Sequence, residues 1–120
     1  MGDKILIVDD AAFMRMMIKD TLQKNGYTNF IEASDGEQAV QLYKAEKPAL
    51  VLMDITMPNK NGLDALKEIK EMDPQATIVM CSAMGQESMV VEAIRHGAKD
   101  FIVKPFKADR ILKTVQSLLG

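Results

Sequence analysis

Short apolar runs alternate five times with amphipathic segments along the 120 residues, and this alternation restricts the chain to very few folds. The apolar runs fall at 5–8, 29–33, 50–53, 77–81 and 100–103. Four of them are continuous, as expected of strands covered on both faces. The second, Asn29-Phe30-Ile31-Glu32-Ala33, mixes in polar residues and suits a sheet edge.

The intervening segments have helical periodicity. The first helix places Met14, Met17, Ile18 and Leu22 on one stripe and stops near Gly26. The second opens on Ser34-Asp35-Gly36-Glu37, a capping-box spacing that satisfies two exposed backbone donors. The third turns Leu66 and Ile69 inward and ends before Pro74; the fourth does so with Val90, Val91 and Ile94 and ends at Gly97. The last carries Ala108, Ile111, Leu112, Val115 and Leu119. Phe13 and Met16 fall off the inward stripe of the first helix, so they are expected to be exposed and to form a candidate docking pair.

Five successive βα units imply a parallel sheet with helices on both faces and right-handed crossovers. The first, third and fourth strands are the most apolar and should be central. That fits the order 2-1-3-4-5, by analogy with other doubly wound sheets. Ligands of such sheets bind beyond the carboxyl ends of the strands, where the strand order reverses. The chain has the length of one domain, taken as 1–120 without an attached output domain.

The residues that end the strands carry the chemistry. Asp9 and Asp10 end the first, Asp54 the third, Ser82 the fourth and Lys104 the fifth. Three clustered carboxylates repel, and a divalent cation together with Lys104 balances their charge. Mg²⁺ suits such a set, because it takes oxygen ligands and keeps several waters. Asp10 and Asp54 are expected as direct ligands, Asp9 through water, with the Thr56 carbonyl adding an oxygen. Asp54, centrally placed, can attack phosphorus as a nucleophile; Lys104 can hold a phosphoryl oxygen, and the Ser82 hydroxyl and Ala83 N–H can donate to the phosphoryl group. Singly, each residue has a commonplace reading: Asp10 a helix cap, Asp54 and Ser82 turn residues, Lys104 solvated surface. Together, on separate parallel strands, they describe a site. His96 lies near the end of the fourth helix, where contact with the helix terminus explains it better than catalysis does.

Other classes fare poorly. Fifteen basic against 17 acidic residues do not suit a nucleic-acid binder. Gly2 invites myristoylation, but position 6 is Leu rather than Ser or Thr. No apolar run is long enough to span a membrane, and no signal peptide is visible. Cys81 reads as a buried, unpaired thiol of a reducing compartment, and one His with one Cys rules against the usual zinc ligand sets.

These residues match a family. Ile5-Leu6-Ile7-Val8-Asp9-Asp10, Leu52-Met53-Asp54-Ile55-Thr56-Met57-Pro58, Cys81-Ser82-Ala83 and Phe101-Ile102-Val103-Lys104-Pro105-Phe106 resemble the receiver domain of two-component response regulators, most closely its chemotaxis members. The resemblance covers essentially the whole chain and implies a flavodoxin-like, doubly wound (βα)5 fold. It implies Asp54 as phosphoacceptor, Asp9 and Asp10 as the acid pair for Mg²⁺, Ser82 as the hydroxyl switch, Lys104 as the phosphate-sensing lysine and Phe101 as the rotating aromatic. It suggests that Lys104-Pro105 is cis, a state found in only about 5–6% of X–Pro bonds in folded proteins. Thr56 and Met84 sit where family members vary and where an attacking water would pass. The implied protein is a cytoplasmic monomer that catalyses only its own phosphotransfer and autodephosphorylation. Its implied partners are a histidine kinase, a flagellar motor switch protein read by the fourth helix, fifth strand and fifth helix, and a dedicated phosphatase.

Several readings compete. A stand-alone receiver in a non-chemotaxis phosphorelay would share the whole site. A phosphatase of the haloacid-dehalogenase type needs an acid two residues beyond its nucleophile, and Thr56 stands there. A mononucleotide binder would want a Gly-, Ser- or Thr-rich loop after the first strand, where Asp9-Asp10 would repel phosphate. A pseudo-receiver without phosphorylation would usually lack a site residue.

Overall fold

The structure, a computed structural model, describes residues 3–83 and 87–120. The readings made at Gly2 and Met84 lie outside the described residues. Five strands, β1 (Ile5–Val8), β2 (Phe30–Ala33), β3 (Leu50–Asp54), β4 (Ile78–Ala83) and β5 (Asp100–Lys104), alternate with α1 (Ala12–Gln23), α2 (Gly36–Glu46), α3 (Gly62–Met72), α4 (Glu87–Arg95) and α5 (Ala108–Leu119). The strands form one parallel sheet in the order β2-β1-β3-β4-β5. The order 2-1-3-4-5 is therefore the one observed, and the mixed strand β2 lies at an edge as its sequence requires. No helix among the described residues is long and apolar enough to cross a membrane.

Because successive strand residues point to opposite faces, each central strand feeds two cores. Leu6, Val8, Val51, Met53, Ile78 and Met80 pack with Val40, Tyr43, Leu66, Ile69 and Ala93, beneath α2, α3 and α4. Ile5, Ile7, Leu50, Leu52, Val79 and Ile102 pack with Ile18, Leu22, Ile111 and Val115, beneath α1 and α5. Burying such a side chain stabilises by about 1.5–3 kcal/mol, which is why the central strands are apolar on both faces. Cys81 belongs to the second core; it is unpaired, and burial pushes its thiol up to about 12.

Several helix expectations need correction. Val91 and Ile94 are 55% and 44% exposed; the inner face of α4 is carried by Val90 and the fully buried Ala93. Three apolar positions in one turn and a half span too wide an arc for one contact line. Met17 is likewise 39% exposed, because the line Met14-Ile18-Leu22 already faces the sheet. Ala108, the first residue of α5, is exposed. The cap of α2 lies one residue later than expected. Asp35, not Ser34, is the N-cap and accepts from Gln38 N, while the Gln38 side chain accepts from Ser34 N. Phe13 and Met16 are exposed, as their positions on the helix imply.

Candidate functional site

The parallel register brings the strand ends to one rim. Val8 pairs with Met53, Asp54 with Cys81, and Ala83 with Lys104. The residues at or just beyond these ends are therefore neighbours, although up to 95 positions separate them in the chain.

One carboxylate oxygen from each of Asp9, Asp10 and Asp54 can be chosen so that all three lie within 4.8 Å of one another. Asp9 and Asp54 are buried and Asp10 is exposed at the mouth. Lys104 Nζ donates to Asp9 Oδ2 at 2.8 Å and lies 3.3 Å from Asp54 Oδ2. Asp9 Oδ1 accepts from the Ala11 N–H at 2.9 Å, so both Asp9 oxygens are engaged by the protein. These contacts orient Asp9, whose carboxylate remains one of the three that offer an oxygen to a cation.

Burial pushes the Asp54 carboxyl above the usual carboxylate range; Lys104 opposes the push and Asp9 adds to it. For Lys104, burial pulls the other way, but the hydrogen bond to Asp9 and the charges of Asp54 and Asp9 prevail and hold it above its ordinary value. The rim thus holds a secure cation beside a carboxylate whose charge is costly, an arrangement that a divalent cation relieves. The donor set is all oxygen, which fits Mg²⁺ or a similar hard ion.

Ser82 is buried on β4, and Ala83 is exposed beside it. Phe101 is half-buried, packed against the core beneath α2, α3 and α4. Thr56 is exposed at the rim between buried Ile55 and Met57. Lys104-Pro105 is cis. His96 is exposed, with Nε2 3.9 Å from Glu92 Oε2.

Some supporting residues escape a sequence reading. Arg15 Nη1 donates to the Asp9 carbonyl at 2.5 Å while its Nε donates to Glu32 at 2.9 Å, so a side chain of α1 steadies the start of the acid pair. Gly62 N–H donates to Ile55 O at 2.7 Å, and a Cβ at Gly62 would stand 2.0 Å from the Asp54 carbonyl oxygen. The only local trace of either role is the residue type; the partners are set by packing.

The fold is shared with known proteins. The family model for the response regulator receiver domain matches residues 5–116. The chemotaxis protein CheY of Bacillus subtilis (strain 168) is 64% identical over 120 residues, covering 100% of both chains. Chemotaxis protein CheY of Thermotoga maritima is 58% identical over 118 residues, covering 98% of each. Among solved structures, the CheX-CheY-BeF3-Mg+2 complex from Borrelia burgdorferi contains a chain with a TM-score of 0.89 and 39% identity, covering 96% of this chain and 87% of that one.

Proposed function

We propose, on the premise that this chain belongs to the response regulator receiver domain family, that it is switched by a phosphoryl group accepted on Asp54 from a histidine kinase. The observation that carries the reading is the convergence of Asp9, Asp10, Asp54 and Lys104 at one rim of the sheet. Such a chain is a signalling protein rather than a classical enzyme: the only chemistry it performs is on itself.

In the transfer, an Asp54 carboxylate oxygen attacks phosphorus in line. The Asp54 O–P bond forms as the P–N bond of the kinase's phosphohistidine breaks, and the imidazole leaves with the electron pair. Lys104, already held between Asp9 and Asp54, keeps its charge and takes a phosphoryl oxygen. The Ser82 hydroxyl and Ala83 N–H donate to the remaining oxygens. Asp10, Asp54 and the Thr56 carbonyl would hold Mg²⁺ directly, with Asp9, committed to Lys104 and Ala11, acting through water. When bound, the ion supplies charge neutralisation of the transferring oxygens. Hydrolysis of the acyl phosphate by water passing Thr56 resets the chain.

The signal follows from the space that Ser82 leaves as it moves toward the phosphoryl group. Phe101 turns further into that space, and the surface of α4, β5 and α5 shifts between two packings. The close CheY relatives favour a chemotaxis pathway, with a flagellar motor switch protein as reader. The Borrelia CheY, solved with CheX, BeF3 and Mg²⁺, supports both an ion in the acid pocket and a protein partner that acts on the loaded state, such as a phosphatase.

Intact-mass analysis after incubation with acetyl phosphate and Mg²⁺ tests the reading. Wild type should gain one phosphoryl group, and Asp54→Asn should gain none. An equal gain in both would place the acceptor elsewhere.

A further inference from the structure

The segment from Ile55 to Asn61 follows Asp54 directly and contains Thr56, and it is fastened to α2 by contacts outside the acid pocket. Asp35 is 7% exposed and divides its carboxylate between two tasks. Oδ1 caps α2 by accepting from Gln38 N at 2.8 Å, and Oδ2 accepts from Asn59 Nδ2 at 2.7 Å. Asn59 has φ +64, the left-handed conformation that Asn tolerates better than most residues. The next contact is backbone to backbone: Gly36 N–H donates to Lys60 O at 2.9 Å, and a Cβ at Gly36 would stand 2.3 Å from that oxygen. Gly62 N–H closes the segment onto Ile55 O. Thr56 is thus an exposed residue of a closed loop whose other side, at Asn59 and Lys60, is fastened to the first turn of α2.

We infer that Asp35 and Asn59 form a positioning clamp, which fixes the β3–α3 loop so that the Thr56 carbonyl is preorganised for the cation at the acid pocket. The inference rests on the reading of that pocket as a Mg²⁺ site. Neither residue touches the ion or the phosphoryl group. Their effect is to remove loop freedom that ion binding would otherwise have to restrict, and leaving one backbone residue to be ordered on binding weakens affinity by about tenfold.

The test uses two full-length variants. Asn59→Gly keeps the left-handed backbone accessible and removes the side-chain donor without a change of charge. The double variant Asp35→Asn with Asn59→Asp restores a hydrogen bond of opposite polarity, with total charge preserved and a good N-cap retained. Two quantities are read: Mg²⁺ affinity by calorimetry, with no phosphodonor present, and amide exchange of Gly36 and Gly62 in metal-free protein. In Asn59→Gly, Mg²⁺ affinity should fall about tenfold, and both amides should exchange faster. The double variant should return both quantities to near the wild-type values. An Asn59→Gly protein that loses stability to urea but keeps wild-type Mg²⁺ affinity would overturn the clamp and leave a purely structural bond. So would a double variant that restores neither quantity. If wild type itself bound no Mg²⁺, the pocket reading would fail; the exchange rates would still report separately whether Asp35 and Asn59 hold the loop.

Discussion

Lys104 Nζ stands 2.8 Å from Asp9 Oδ2 and 3.3 Å from Asp54 Oδ2, so one cation from the edge strand holds two buried carboxylates from the centre of the sheet. Replacing it with Gln leaves those carboxylates facing each other. Lys104→Gln should lose about 2 kcal/mol of metal-free stability in urea titrations. Its Mg²⁺ affinity should rise by at least about threefold, because the ion becomes the main counter-charge. A fall in affinity would mean that Lys104 organises the pocket in some way other than by charge.

The Asp54 carboxyl lies above its ordinary value of 3.8 in the folded chain. The native state therefore keeps this proton to higher pH than the unfolded chain does, and the group's contribution to stability declines as pH rises through that interval. At neutral pH the ionised side chain is a net cost. Asp54→Asn should therefore be more stable than wild type at pH 7 without metal, by about 1–2 kcal/mol. The gain should vanish below the ordinary carboxylate range, where both forms are neutral. Thermal melts at pH 7 and near pH 3 check the sign, and a gain that persists in acid would refute the electrostatic cause.

Ser82 is 1% exposed and is proposed to link the phosphoryl group to Phe101. Ser82→Ala should still be phosphorylated on Asp54. The Phe101 ring resonances, which should shift in wild type on adding beryllium fluoride and Mg²⁺, should then stay near their unliganded positions. Output binding should lose its dependence on phosphorylation. An unchanged Phe101 response in Ser82→Ala would sink this coupling.

Gly62 lies against the carbonyl of Asp54, where an added Cβ would come to 2.0 Å of the oxygen. That oxygen belongs to backbone and cannot swing aside. Gly62→Ala should lose about 2–3 kcal/mol in urea denaturation. A loss within about 0.5 kcal/mol, usual for surface changes, would show that the loop does not pack this way.

Lys104 and Asp54 were legible in the chain itself because both end apolar runs, and strand ends of a parallel sheet share a rim. Phe13 and Met16 were legible for a related reason: helical periodicity alone puts them off the inward stripe. Periodicity alone turns Val91 and Ile94 inward, but it lacks one fact, namely how wide a contact the sheet offers α4, and both are exposed. Ser-Asp-Gly-Glu offers two overlapping caps, Ser34 and Asp35, and the choice between them depends on Asn59 and Lys60, more than twenty positions away.

Local chemistry by itself thus determined the alternation of elements, the apolar centre of the sheet and the acids and lysine that crown it, since each depends on neighbours within a turn or a strand. Tertiary structure alone decided which helix faces are covered, how Asp35 reaches Asn59 and why positions 36 and 62 accept no side chain. Those outcomes depend on distances between segments remote in the chain, and such distances exist only once both cores have packed.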